Sequence, residues 1–247
     1  MIAILAATII AYLPAIRAPF VLDDVQSIPG NPTIRALWPL SVPFAPPANT
    51  TVAGRPVVNL TLALNYRLNE WLGVDQRPES RDSNATVGYH AVNLLAHLAC
   101  GLLLLGVVRR TARHMEGVDD ADSMAVMVTA LWLLHPIQSE AVDYLIQCTE
   151  LLVSLCYLGT LYASIRAWNA ALAYAQSGRS GDAADAASAA VRNAPGDAAV
   201  LILAGRAMLA AGRNEEAVQY LSEALRRSPG NREAAAYLAR ARGATRR

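Results

Sequence analysis

Lysine is absent from this 247-residue chain; all 21 basic residues are arginine, which reads as codon bias rather than chemistry. Charge is scarce as well. Charged residues make up 17%, against about 25% in an ordinary soluble domain. The net charge is only +1, so there is no basic surface for a nucleic-acid backbone. Cysteine occurs three times, at Cys100, Cys148 and Cys156. All three lie in apolar stretches with neither metal-ligand spacing nor a paired framework, which excludes a cysteine zinc site and a disulfide scaffold. They read as small buried hydrophobes. What the chain has in abundance is apolar side chains, 54% of the total, with a mean hydropathy of +0.26. That balance points to membrane-embedded segments.

Four stretches are candidate spans. Met1–Ile16 carries no charged side chain but is short against the ~20 residues a crossing needs. It lacks the charged start and small-residue cleavage site of a signal peptide. Tyr89–Val108 is the strongest, stopped by Arg109, Arg110 and Arg113. Ser123–Leu134, ending at His135-Pro136, is again short, and 141–165 ends at Arg166. The last two read either as spans or as tightly packed interfacial segments. The arginine-rich loop 109–122 belongs on the cytoplasmic side by the positive-inside rule. The loop 17–88 and the short loop around His135–Glu140 then both face outward.

That outer loop opens on paired carboxylates, Asp23-Asp24, just past the first apolar segment. Acidic pairs at a membrane boundary are costly without a role. Here they would bind a divalent cation, Mg or Mn, or act as general base toward a hydroxyl. Pro29-Gly30-Asn31-Pro32 and the prolines from Pro43 to Pro47 predict turns, with a short helix over Ile34–Leu40 between them. The pattern Val58, Leu62, Asn65-Tyr66 predicts an amphipathic helix over Val57–Leu68, lying on the bilayer surface. Residues 73–87 are polar and read as a mobile loop. His90 and His97 share a face of the second span and read as packing histidines; His114 reads as a loop residue. Asp143 and Glu150 imply a polar interior face or a surface-lying segment. The Asn-x-Thr triplets at Asn49, Asn59 and Asn84 carry no weight without a known compartment.

Near Trp168 the chain changes character. Gly178-Arg179 recurs as Gly212-Arg213, Ala183 as Ala217, Ala190 as Ala224 and Pro195-Gly196 as Pro229-Gly230. The common offset of 34 residues is the tetratricopeptide period. Helices are predicted at 167–177, 181–193, 198–211, 215–227 and 231–242, two repeats plus a cap. Such arrays present a concave surface to a protein or peptide partner. The fold class is therefore all-α: about four transmembrane helices with a long outer loop (1–166), then a short tetratricopeptide array (167–247).

Four ordered strings add a resemblance. They are Phe20-Val-Leu-Asp-Asp-Val-Gln-Ser-Ile-Pro-Gly-Asn31, Arg55-Pro-Val-Val-Asn-Leu-Thr-Leu-Ala-Leu-Asn-Tyr66, Gly88-Tyr-His-Ala-Val-Asn-Leu-Leu-Ala-His97 and His135-Pro-Ile-Gln-Ser-Glu-Ala-Val142. Through them, residues 1–166 resemble the membrane half of the transmembrane and tetratricopeptide-repeat O-mannosyltransferases and their bacterial relatives. The resemblance implies an integral-membrane glycosyltransferase of the C type. Such an enzyme moves a sugar from a polyprenyl-phosphate donor to a Ser or Thr hydroxyl of a protein outside the cytoplasm. It implies Asp23 or Asp24 as base or metal ligand, Arg55 on the lipid phosphate, and His135 and Glu140 on the opposite wall, binding sugar or acceptor. The implied setting is a bacterial inner membrane, with membrane lipid and the donor as partners. Two departures stand out. The spans that relatives place before their repeats are missing, so the chain reads as internally shortened. Gln147-Cys148-Thr149-Glu150 also stands where relatives carry Gln-Arg-Thr-Glu. By span count the repeats are cytoplasmic; by resemblance they are external. The functional expectation is a glycosyltransferase-like protein, active or inactivated by the missing spans. The alternative is a membrane-anchored tetratricopeptide scaffold without catalysis.

Overall fold

The computed structural model describes residues 1–76, 82, 84–113, 115 and 117–245. Among them there is no strand; the chain is helical. The helices are α1 (Ile2–Tyr12), α2 (Asp23–Ser27), α3 (Pro56–Trp71), α4 (Val87–Ala112), α5 (Ala121–Leu133), α6 (Gln138–Asp143) and α7 (Cys148–Gln176). Then come α8 (Ser180–Asn193), α9 (Ala198–Ala210), α10 (Asn214–Arg227) and α11 (Arg232–Thr245). Two compact units emerge: residues 1–109 with 118–158, and residues 110–117 with 159–247.

The expectation of about four spans is met in part. Two helices are long and apolar enough to cross a membrane, Val87–Ala112 and Leu145–Gln176. Ile2–Arg17 and Ala121–Leu133 are apolar but shorter. At 1.5 Å per residue a 13-residue helix covers about 20 Å, short of a ~30 Å hydrocarbon core. The break expected at Arg166 is absent as well. Apolar and polar positions alike are helix formers there, and α7 runs unbroken through it.

In the first unit the outer loop is folded, not draped. Ile28, Ile34, Val52, Val58, Leu62 and Ala63 bury against Tyr89, Leu145, Ile146 and Cys148. The expected helix over Ile34–Leu40 is reduced to a single 3-10 turn, Pro32–Ile34, capped by the Asn31 side chain on the Thr33 N–H. Pro39 disfavours a helical residue before it, which stops propagation. Of residues 73–87, those at 77–81 and 83 lie outside the described set. Gln76 is not loose: it is buried, donating to the Tyr66 carbonyl at 2.8 Å and accepting from Tyr89 Oη at 3.1 Å. His114 also lies outside the described residues.

The two histidines of α4 pack as expected. His90 Nε2 bonds the Ala18 carbonyl at 3.3 Å, and His97 Nε2 bonds that of Leu133 at 3.1 Å. His97 also stacks on Trp132 with ring centroids 4.7 Å apart. Cys100 and Cys148 are buried, but Cys156 is exposed on α7, a correction to the reading of all three as core.

In the second unit the end of α7 pairs with α8, and α9 with α10, while α11 caps the array. Trp168, Ala171 and Leu172 pack with Ala183, Ala187 and Leu203. The repeated Gly-Arg signal has a local cause. Gly178 and Gly212 take positive φ, +73° and +75°, as the left-handed residue past a helix end requires. The next amide then bonds back five residues: Arg179 N–H to the Tyr174 carbonyl at 3.0 Å, Arg213 N–H to that of Met208 at 2.8 Å.

Candidate functional site

The four strings converge on one segment, residues 142–149. Asn93, from the third string, donates through Nδ2 to the carbonyls of Val142 and Leu145, each at 3.3 Å. Asn31 and Asn59, from the first and second, are bonded to each other at 2.8 Å in the buried core. Val142, the last residue of the fourth, is buried. The strings are thus one structural unit and not four separate motifs.

Within it the two aspartates have different fates. Asp24 is 1% exposed. Its Oδ1 accepts the Ile146 N–H at 2.9 Å and its Oδ2 the Val21 N–H at 3.2 Å. Both oxygens are therefore committed to backbone amides. Burial raises its carboxyl above the usual range, against those same amide bonds, which lower it, and the neighbouring Asp23 charge adds to the rise. Asp23 is exposed at the start of α2. Its backbone N–H donates to Tyr144 Oη at 3.2 Å. Loss of hydration, with the Asp23 and Asp24 charges nearby, holds the Tyr144 phenol above its ordinary range. It therefore remains a neutral hydroxyl at neutral pH. Just before Asp23, Leu22 sits at φ 47° with its side chain 82% exposed. A non-glycine residue in that region is strained and persists only where its surroundings dictate it. The Val21 N–H bond to Asp24, which spans Leu22, and the Tyr144 and Ile146 contacts just after it supply that constraint.

Arg55, also exposed, lies at the other end of this segment. Its Nη1 is 3.5 Å from Thr149 Oγ1 in the first turn of α7. Cys148, between these groups, feels both the Asp24 and the Arg55 charge. Cys148 is a buried thiol, its Sγ 3.8 Å from the Ile146 carbonyl. His135 and Glu140 are exposed and locally engaged. His135 Nδ1 accepts the Ile137 N–H at 3.2 Å, and Glu140 stands in the first turn of α6. Their described contacts do not reach Asp23 or Arg55. Asp143 falls in α6 and not in a span; burial beside Tyr12 and His90 raises its carboxyl. Glu150 is exposed in the first turn of α7.

Tyr144, Asn93 and Thr149 are not singled out by sequence. Tyr144 and Thr149 follow the fourth string closely, and only their pairing with residues 121 and 94 positions away gives them meaning. As a cation site the arrangement is open. Among the described residues no group of three or more His, Cys, Asp or Glu side chains gathers, and Asp24 is already engaged. Asp23 is the carboxylate left for a ligand.

A tetratricopeptide-repeat family model matches residues 169–232. The chain is 28% identical over 174 residues to the protein O-mannosyl-transferase F38B6.6 of Caenorhabditis elegans, covering 67% of this chain and 23% of that protein. It is 28% identical over 176 residues to protein O-mannosyl-transferase Tmtc3 of Drosophila melanogaster, covering 63% of this chain and 18% of the other. The human protein O-mannosyl-transferase TMTC3 gives 27% over 163 residues, 63% of this chain and 16% of the relative. The chain spans less than a quarter of the length of these relatives. No solved structure matches. By the repeat match and by these likenesses, the chain is similar over about two thirds of its length to the transmembrane and tetratricopeptide-repeat protein O-mannosyltransferases.

Proposed function

We propose that the chain is a membrane glycosyltransferase-like protein whose reacting site is the outer surface around Asp23 and Arg55. The observation that carries this reading is one exposed carboxylate and one exposed guanidinium at the two ends of the 144–149 segment. Transfer of a sugar to a hydroxyl needs two things of the protein beyond binding: a proton acceptor and a partner for the departing phosphate. Asp23 takes the proton from the Ser or Thr hydroxyl as its oxygen bonds the anomeric carbon. The bond from that carbon to the lipid phosphate breaks with its electron pair on the phosphate oxygen. Arg55 faces that phosphate; a planar guanidinium suits it better than a point charge would. Tyr144 and the Asp24–Ile146 bond hold the loop that presents Asp23. A Mg or Mn ion would be held by Asp23 together with donor phosphate oxygens, the usual mode for a hard cation, and would neutralise phosphate charge. His135 and Glu140 would bind sugar or acceptor, brought in from the neighbouring loop. The acidic loop faces away from the cytoplasm, following the arginine-rich loop 109–122.

The test is transfer of mannose from a polyprenyl-phosphate mannose to a Ser/Thr peptide in vesicles containing the full chain. Expected is transfer that Arg55→Gln lowers by about 10- to 100-fold, the loss of one charge-assisted contact in the transition state. Vesicles that bind donor yet transfer nothing, with wild type equal to Arg55→Gln, overturn the reading.

A second reading has its own observation. On the second unit, Leu172, Leu203, Ala207 and Tyr237 line a groove of about 290 Å³ with Arg206 and Arg240 at its edge. This is the concave side that such repeats offer to a peptide. A scaffold of this kind would bind a protein partner without chemistry, and Arg240→Glu, exposed at the groove edge, would lower capture of that partner while leaving membrane insertion unchanged.

A further inference from the structure

Helix α3 carries an apolar stripe on its exposed face as well as on its buried one. The residues it buries are Val58, Asn59, Leu62, Ala63, Asn65 and Asn69. The face it exposes carries Val57, Leu64, Leu68 and Trp71. Steps of seven, four and three residues put those four on one stripe. The sequence pattern assigns the bilayer to the Val58–Leu62 face; in the structure that face packs on the protein. The asparagines turn inward beside Val58, Leu62 and Ala63, while a second apolar stripe of aliphatic and indole side chains turns outward. For a helix beside water, this is the wrong way round.

Its position says what covers it. Arg55, just before α3, reaches Thr149 in the first turn of α7. Farther along, Asn65 and Asn69 close so tightly on Gly88, in the first turn of α4, that a Cβ there would lie 2.7 and 2.2 Å from their Oδ1 atoms. α4 and α7 belong to the two helices long and apolar enough to cross a membrane. A 16-residue helix spans about 24 Å, so α3 bridges the starting ends of both. An element that touches the beginnings of two spans lies at the plane where they enter the bilayer. The charged neighbours of the stripe, Arg67 and Glu70, pair with each other. They line a shared groove with Leu37, Leu64, Leu68 and Trp71. Trp71, 81% exposed at the end of the helix, is the residue type favoured at the headgroup level. Trp38, Leu40 and Phe44, in the loop before α3, are exposed as well.

We propose that α3 lies in the plane of the outer membrane–water boundary, with Val57, Leu64, Leu68 and Trp71 sunk among phospholipid acyl chains and its asparagine face turned to the protein. This rests on α4 and α7 crossing the bilayer and is independent of any sugar transfer. So placed, the helix sets the depth of Arg55, at its start, relative to the lipid headgroups.

The test uses the full chain in phosphatidylcholine vesicles, with Trp38, Trp132 and Trp168 replaced by Phe so that Trp71 alone emits. Expected is loss of Trp71 emission when lipids carry bromine near the carbonyl end of the acyl chain, a smaller loss with bromine near the methyl end, and little with aqueous iodide. Quenching by iodide and not by bromine means the stripe faces water. Quenching by neither means protein, such as a second copy, covers it. Each overturns the proposal. Because Trp132 stacks on His97, the triple variant is paired with a spin label at Leu68→Cys in a Cys156→Ser background. Oxygen must broaden or saturate that label more than an aqueous nickel chelate does; the reverse order overturns the proposal even if the tryptophan variant fails to insert.

Discussion

Asp23→Ala leaves the stability of the first unit unchanged and removes the proposed sugar transfer, whereas Asp24→Ala destabilises the unit by about 2–3 kcal/mol, the worth of hydrogen bonds to a buried charged group. The asymmetry follows from where the two carboxylates point. Asp23 is exposed; alanine keeps its backbone N–H bond to Tyr144 Oη and removes only the solvent-exposed side-chain contact with the same phenol. Asp24 is the acceptor for Ile146 N–H in the buried core and for Val21 N–H at the strained turn. Removing it strands an amide away from water and releases the turn at Leu22. Thermal unfolding in detergent micelles, beside the vesicle transfer assay, separates the two roles. If Asp23→Ala unfolds and Asp24→Ala does not, the division of labour is wrong.

The same residue gives a pH dependence. Burial raises the folded-state carboxyl of Asp24 above its unfolded value. Its contribution to stability is therefore full below the ordinary carboxylate range and lost as pH rises through the raised folded value. Asp24→Asn, which has no such titration, gains on wild type over that interval. A constant difference in Tm between the two proteins across it would show that the carboxylate does not carry the effect.

Leu221→Ala costs the repeat unit about 3–5 kcal/mol, the upper part of the range for emptying a fully buried leucine site. Leu221 is 0% exposed and sits against Gly205 of α9. A Cβ at Gly205 would lie 2.4 Å from Leu221 Cγ, so the helices have no room to approach further there. Gly205→Val on its own overpacks the same contact, at about 1–3 kcal/mol or more. In the double variant, the added methyl groups occupy part of the space that Leu221 vacates. The double cost is then smaller than the sum of the singles, by a coupling of about 1 kcal/mol or more. Hydrogen exchange of the α9 and α10 amides in the full chain reads each cost. Additive costs would mean that the two side chains do not share one contact.

Much of the second unit is legible in the amino-acid sequence alone. The 34-residue offset places α8 to α11 within a few residues, because the repeated glycines are required locally, by positive φ past a helix end. The histidines of α4 are legible too, since a buried imidazole needs a backbone partner wherever it packs. The outer loop is harder. Ile34–Leu40 has helical composition but is governed by Pro39 within it and by the Asn31–Asn59 pair. Cys156 has the surroundings of a core residue in sequence and faces outward in space.

The sequence by itself determined the helices of the repeats, their period and the acidic pair at the head of the outer loop. Periodicity, turn chemistry and charge placement all act over a few residues, so they can be read from a few residues. Only the tertiary structure decided which aspartate is free and which side of α3 faces the protein. The bonds that settle the aspartates join residues 121 and 122 positions apart. The face of α3 is chosen by the first turns of two distant helices. Both outcomes depend on burial against remote partners, and an apolar residue on a helix carries no local mark of whether protein or lipid will cover it.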